Sequence, residues 1–111
     1  MTSRKDAIRE YKERAPNRGI FAIRLIAANR AWVGASLNLD ATRNRAWFAL
    51  RLGQHQDRAL QAEWNTHGQA AFQYDVLEKL KDDVLPMAVS DLLKEKMREW
   101  ALRLDAPTLL P

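Results

Sequence analysis

An arginine in an unusual place is the first side chain of this sequence that could do chemistry. At 100° per residue, Arg43 falls on the same stripe of a predicted helix as Leu39 and Leu50. Unpaired charge is rarely buried, so an arginine there needs a partner. It either forms a buried ion pair with a carboxylate of the last predicted helix, or its planar cation binds a phosphate. The sequence leaves both interpretations open.

Acidic side chains on that last helix form a second candidate. Asp91, Glu95 and Glu99 follow one another at i, i+4 and i+8, along the edge of an apolar stripe. Carboxylate oxygens are the ligands that a hard divalent cation prefers, so this row could face a shallow metal site beside the core. The alternative is a solvated edge with local ion pairs, each worth only about 0.3 kcal/mol.

A histidine in a predicted loop is the third candidate. His55 could act as a general base near neutral pH, because its unperturbed pKa lies close to that range. A lone histidine in a loop is equally typical of an ordinary surface residue. We predict that the other histidine, His67, is structural, because it stands beside the helix-ending Gly68.

Composition indicates one small intracellular domain. The chain has 111 residues, of which 47% are hydrophobic and 29% charged, as in a folded globular protein. The absence of cysteine excludes disulfides, thiolate metal sites and cysteine nucleophiles. The polar N-terminal residues do not resemble a signal peptide, and no apolar run approaches the ~18 residues that span a bilayer. We therefore expect a cytoplasmic protein with no membrane partner.

The mildly basic charge of the chain is compatible with a phosphate-rich partner such as nucleic acid, and equally with none. The net charge is +4, and acidic residues concentrate after Asp75. Candidate contacts to nucleic acid are four arginines of the preceding segment: Arg43, Arg45, Arg51 and Arg58. Four tryptophans also permit a protein partner, although three of them stand at core spacing.

The elements that must position these side chains can be placed from apolar spacing. Two apolar runs, 20–26 and 31–35, separated by Asn29-Arg30, predict a β-hairpin. The other predicted elements are helices over 3–14, 39–52 with Asn38 as N-cap, 58–67 and 84–104, and a strand over 71–78. This order divides the chain into an N-terminal helical extension (1–18), one domain (19–104) and a loose C-terminal tail (105–111).

The hairpin opens with Gly19-Ile20-Phe21 and closes with Trp32-Val33-Gly34. Gly53-Gln54-His55 follows, then Leu60-Gln61, Asn65 and Gly68, and finally the strand from Phe72 to Glu78. In this order and spacing, the pieces resemble the GIY-YIG nuclease family over residues 19–104. The resemblance implies an α+β fold, in which the hairpin and one later strand form a three-stranded antiparallel sheet flanked by helices.

The resemblance also implies chemistry, namely hydrolysis of DNA phosphodiester bonds with one divalent metal, Mg²⁺ or Mn²⁺. Carried onto this chain, Arg43 would steady the phosphate, Glu95 would hold the metal and His55 would help to activate water. Phe21 and Trp32 occupy the two signature tyrosine positions of that catalytic site. The first hypothesis is thus a metal-dependent DNA endonuclease. The alternatives are a catalytically weakened domain that only binds DNA or RNA, and a protein-interaction module.

Several positions depart from the pattern of that family. Phe21 has no hydroxyl, and Trp32 offers only an N–H donor. The family's arginine usually stands one position before Arg43, and its glutamate stands three residues before an aromatic. Before Trp100 that position is Met97. No asparagine follows Asn65.

Overall fold

The computed structural model describes residues 17–109, so the helix predicted over 3–14 lies outside the described residues. Its sheet has three antiparallel strands: β1 (Gly19–Leu25), β2 (Arg30–Ser36) and β3 (Phe72–Lys79). β1 is central in the order β2-β1-β3, which confirms the predicted sheet. Within 17–109, no helix combines the length and apolar character needed to cross a bilayer.

A short 3₁₀ turn joins the two strands of the hairpin. Residues Ile26–Ala28 form this turn, and Asn29 closes it in the left-handed region at φ 51°. The strand predicted to run through Ile26 therefore ends one residue earlier, and Ile26 is exposed instead of buried. The apolar run continued past the point where the backbone turns, which periodicity alone could not indicate.

Three helices complete the fold: α1 (Leu39–Arg51), α2 (Arg58–His67) and α3 (Pro86–Leu104). The Asn38 side chain caps α1 by accepting a hydrogen bond from the Ala41 N–H, as predicted. α3 begins two residues later than predicted, because Pro86 occupies its first turn. Leu85, which lies within the predicted helix, is instead its exposed N-cap.

Helices cover both faces of the sheet. Phe21, Ile23 and Leu25 pack on one face against a cluster that includes buried residues of α1 and α2. Ile20 and Val33 pack on the other face against α3. Every β1 side chain except that of Arg24 is buried, which fits the apolar character of both faces of this strand.

The C-terminal segment is held against the open edge of β2. The Val33 N–H donates to the Pro107 carbonyl (3.0 Å), and the Leu109 N–H donates to the Val33 carbonyl (2.7 Å). Leu109 is only 6% exposed and joins the core on the α1 side. The prediction of a loose tail is therefore wrong for residues up to 109, because pairing with an edge strand has no signature in apolar spacing.

Candidate functional site

An open groove lies between the end of β2, α1 and the loop that follows α1. Its described lining comes from four parts of the chain: Phe21 and Ile23; Ala35, Ser36 and Leu37; Thr42, Arg45, Ala46 and Ala49; and Gln54, His55, Gln56 and Leu109. A smaller cavity beside it is lined by His55, Gln56, Asp57 and Leu109. The groove brings together three residues predicted to be functional: Phe21, Arg45 and His55.

A chain of hydrogen bonds ties Arg45 to the wall of this groove. The Asn38 N–H donates to Ser36 Oγ (2.9 Å), and Ser36 Oγ shares a 2.6 Å hydrogen bond with Thr42 Oγ1. Arg45 Nη2 in turn donates to Thr42 Oγ1 (3.3 Å). Within residues 17–109, no carboxylate pairs with Arg45. Its guanidinium is thus held near buried Ser36 while the side chain stays exposed to solvent.

Arg43 does not line the groove. Its side chain is exposed, and its guanidinium lies over the Trp47 ring, 5.9 Å from the centroid. The expected place of Arg43 inside the buried stripe of α1 is therefore wrong. The long side chain leaves the stripe and reaches water across the indole face, as flexible basic side chains often do.

The two hairpin aromatics have different surroundings. Phe21 lines the groove, and its ring stacks on Tyr74 with centroids 5.1 Å apart. Trp32 is 1% exposed and packs beside Phe72, with Arg30 over its ring, so it is a core residue rather than part of the groove lining. Only one of the two signature positions therefore reaches the groove.

His55 is half-buried, and one of its ring nitrogens is engaged. Nδ1 accepts a hydrogen bond from the Asp57 N–H (3.0 Å), which leaves the proton of the neutral ring on Nε2. Burial lowers the pKa of His55, although the charge of the nearby Asp57 carboxylate opposes the shift. His55 is therefore arranged as a neutral hydrogen-bond donor. The role of general base that we predicted from the sequence would require the Asp57 bond to break.

A buried glutamine positions the loop that carries His55. Gln61 Oε1 accepts the His55 backbone N–H (2.9 Å), while Gln61 Nε2 donates to the Leu50 carbonyl (3.0 Å) and to Asn65 Oδ1 (2.9 Å). The side chain thus joins the end of α1 to the loop and to α2. In the sequence, Gln61 stands out only as part of the Leu60-Gln61 pair that carries the family resemblance. Its place on the buried side of α2, next to Leu60, was the signal for a structural role.

Comparison with solved structures places this architecture among nuclease catalytic domains. A glutamate-to-alanine variant of the catalytic domain of the intron endonuclease I-TevI is 26% identical, with a TM-score of 0.69 over 80% of this chain and 84% of that one. The chain has a GIY-YIG-like fold. A second structure, the catalytic domain of the homing endonuclease I-TevI, is 23% identical, with a TM-score of 0.71 over 85% and 99% of the two chains. No protein-family model and no curated protein matches the chain.

The groove residues do not fit the divalent metal that a nuclease with the GIY-YIG-like fold would use. None of the described lining residues is a carboxylate, and residues 17–109 contain no group of three or more side chains of His, Cys, Asp or Glu that could hold a metal. Met97, three residues before Trp100, packs in the cluster that includes Ala35 of the groove. Glu95 is exposed. It precedes Met97 by two residues, so the two side chains point about 200° apart around the axis of α3.

Another carboxylate near α3 is fully engaged. Glu78 Oε2 accepts a hydrogen bond from Lys96 Nζ, and Glu78 Oε1 accepts one from Trp100 Nε1 (2.9 Å). These two hydrogen bonds lower the pKa of Glu78 and join β3 to α3. Glu78 is therefore a structural carboxylate in this arrangement.

The remaining arginine candidates lie outside the groove lining. Arg51 Nε donates to Gln69 Oε1 (2.9 Å), which joins the end of α1 to the turn before β3. Arg58 is exposed at the first position of α2. Of the four arginines proposed from the sequence as contacts to nucleic acid, Arg45 alone lines the groove.

We expect His55 to titrate below the ordinary value of about 6.5 for a histidine, because burial disfavours its charged form. Nitrogen-15 NMR should report this lowered pKa and an unprotonated Nδ1 at pH 7. His55 then binds its proton more readily in the unfolded chain than in the native one. The free energy of unfolding should therefore decrease as pH falls from about 6.5 through the native pKa of His55. His55→Asn can keep an acceptor for the Asp57 N–H and serves as the non-titrating control. A pKa above 6.5, or a proton on Nδ1, would contradict the described geometry.

Proposed function

We propose that this chain binds DNA through the groove, with Arg45 on a backbone phosphate, and holds the DNA without metal-dependent hydrolysis. The observation that carries the proposal is the tether of the Arg45 guanidinium to Thr42. A planar cation with several donors suits a phosphate, and a side chain held in place loses less freedom on binding. Likeness to nuclease catalytic domains supports nucleic acid as the partner.

The position of Thr42 strengthens the assignment of Arg45. The family's arginine usually stands one residue before Arg43, which is where Thr42 stands in this chain. Arg45 comes from nearly one helical turn later, and its guanidinium lies against the Thr42 hydroxyl. A cation is therefore present beside the expected position although the residue there is neutral. The earlier candidate, Arg43, lies over Trp47 instead.

The chemistry of the groove favours binding over hydrolysis. Phe21 lacks a hydroxyl, and Nδ1 of His55 already accepts a backbone hydrogen bond. Met97 stands where the family has its glutamate, and a thioether is a poor ligand for a hard cation such as Mg²⁺ or Mn²⁺. These side chains provide neither an evident base nor an evident metal ligand.

A metal-dependent DNA endonuclease is the second candidate. The likeness to catalytic domains and the presence of His55 in the groove favour it. In that case Glu95 would have to reach the metal after a rearrangement of α3. A cytoplasmic location, which the lack of cysteine suits, belongs to both candidates.

Purified protein incubated with single- and double-stranded DNA tests the proposal, with Mg²⁺, Mn²⁺ or chelator in parallel. We expect binding that weakens with salt, stays the same in chelator and produces no cleavage. Cleavage that needs metal and disappears in Glu95→Ala would establish the endonuclease and overturn the proposal. Absence of binding to either DNA at low salt would overturn both candidates.

A further inference from the structure

An exposed aromatic side chain lies next to Arg45 on α1. Phe48 follows Arg45 by three residues and is 62% exposed, and Leu52 follows Phe48 by four and is 55% exposed. Residues three and four apart are neighbours on a helix surface, so the three side chains form one strip. We call this strip, Arg45-Phe48-Leu52, the α1 rim.

Phe48 differs from the other aromatic residues between 17 and 109. The other phenylalanines, Phe21 and Phe72, are buried in the core. Among the large hydrophobic residues that are exposed in this part of the chain, Phe48 is the one aromatic residue. Nothing in the packing of the fold requires a phenyl ring at this position. An exposed aromatic beside Arg45, the arginine that lines the groove, thus invites a role in binding.

We infer that the Phe48 ring stacks on an unpaired base of the strand whose phosphate Arg45 contacts. This inference rests on the proposed function and specifies its substrate class, which is DNA with unpaired bases rather than continuous duplex. Every base has a π-face, so such stacking tolerates any sequence. In a duplex the bases are already stacked on one another, and an unpaired base is needed to reach the phenyl ring without breaking the helix.

Charge favours this occupant of the α1 rim over an apolar protein surface. α1 carries Arg43, Arg45 and Arg51 against the single acidic residue Asp40. Cβ atoms three residues apart on a helix are about 5–6 Å apart, so Arg45 and Phe48 can contact neighbouring parts of one strand. An arginine beside an aromatic ring is the combination by which proteins hold single strands, one for the backbone and one for the base.

The test compares a single-stranded oligonucleotide containing 2-aminopurine with the same sequence in a duplex. The variants are Phe48→Ala, Phe48→Leu as an apolar control without a π-system, and Phe48→Tyr, which restores an aromatic ring. We expect Ala and Leu to weaken single-strand binding about tenfold, to change duplex binding less than twofold and to lose the quenching of 2-aminopurine. Tyr should retain both affinity and quenching. Because the Phe48 side chain is exposed, we expect all three variants to fold, and circular dichroism checks that they keep the wild-type secondary structure.

The possible outcomes separate this inference from the proposed function. If Phe48→Ala leaves single-strand binding and quenching unchanged while binding still depends on Arg45, stacking is wrong and the proposed function stands. Affinity retained by Leu as well as by Tyr would indicate apolar packing and would overturn stacking. A wild-type chain that binds neither DNA would remove the proposed function and, with it, the inference.

Discussion

Replacing Arg45 by alanine should weaken DNA binding about tenfold or more at physiological salt. Arg45 is the arginine that lines the groove, and its contact with Thr42 holds the guanidinium near where a phosphate would bind. A charge-assisted contact of this kind contributes roughly 1.5–3 kcal/mol, and 1.4 kcal/mol corresponds to a factor of ten. The loss should be similar for every DNA sequence, because a phosphate contact carries no sequence information.

Salt titration of binding, followed by fluorescence anisotropy, is the measurement that checks this expectation. Loss of one phosphate contact should reduce the slope of log K against log salt concentration by about one. Arg43→Ala is the matched control, because it removes the same charge from the same exposed helix but outside the groove lining. We expect it to change affinity less than threefold. A larger loss in Arg43→Ala than in Arg45→Ala would restore the assignment made from the sequence.

Local sequence signals account for the parts of the fold that could be predicted. The pairing of the two hairpin strands and the Asn38 cap depend on neighbouring residues, and both occur as predicted, whereas the turn lies earlier than Asn29-Arg30. The prediction for Arg43 was wrong about the side chain but correct about the backbone, because Trp47, one helical turn later, is buried. Helical spacing gives the direction of a Cβ atom, but it does not give the path of a long side chain that can bend toward water.

Long-range contacts account for what the sequence did not reveal. The tether of Arg45 depends on Ser36 of β2 meeting Thr42 of α1, and its hydrogen bonds become visible only in the folded chain. Likewise, Leu109 reaches the groove because the C-terminal segment pairs with Val33. None of these facts has a periodic signature.

The glycines of the two hairpin tripeptides, Gly19 and Gly34, should prove necessary for folding. Of the two alanine variants, Gly19→Ala should have the larger effect on stability. A Cβ atom built at Gly19 would lie 2.0 Å from the Glu78 carbonyl oxygen and 2.9 Å from Lys79 Cα. Both are backbone atoms of β3, so no rotamer change can relieve the clash. The pairing of β1 with β3 shifts register between Ile20 and Phe21, next to this close approach. We expect a loss of about 3 kcal/mol in the free energy of unfolding, or failure to fold.

Chemical denaturation of three glycine-to-alanine variants separates the causes. At Gly53 a Cβ would meet nothing within 4 Å, so Gly53→Ala should cost only about 1 kcal/mol through its left-handed backbone at φ 75°. At Gly34 the clash is with the Phe21 ring, whose Cζ would lie 2.4 Å away. That cost should shrink in a Phe21→Leu background, whereas the cost at Gly19 should not. If Gly19→Ala stays within about 1 kcal/mol of the wild type, the close approach of β3 is wrong. If the expected losses are found, the β3 backbone requires the glycine at position 19 and the Phe21 ring requires the glycine at position 34. Packing would then explain why both hairpin tripeptides carry a glycine, independently of any catalytic activity.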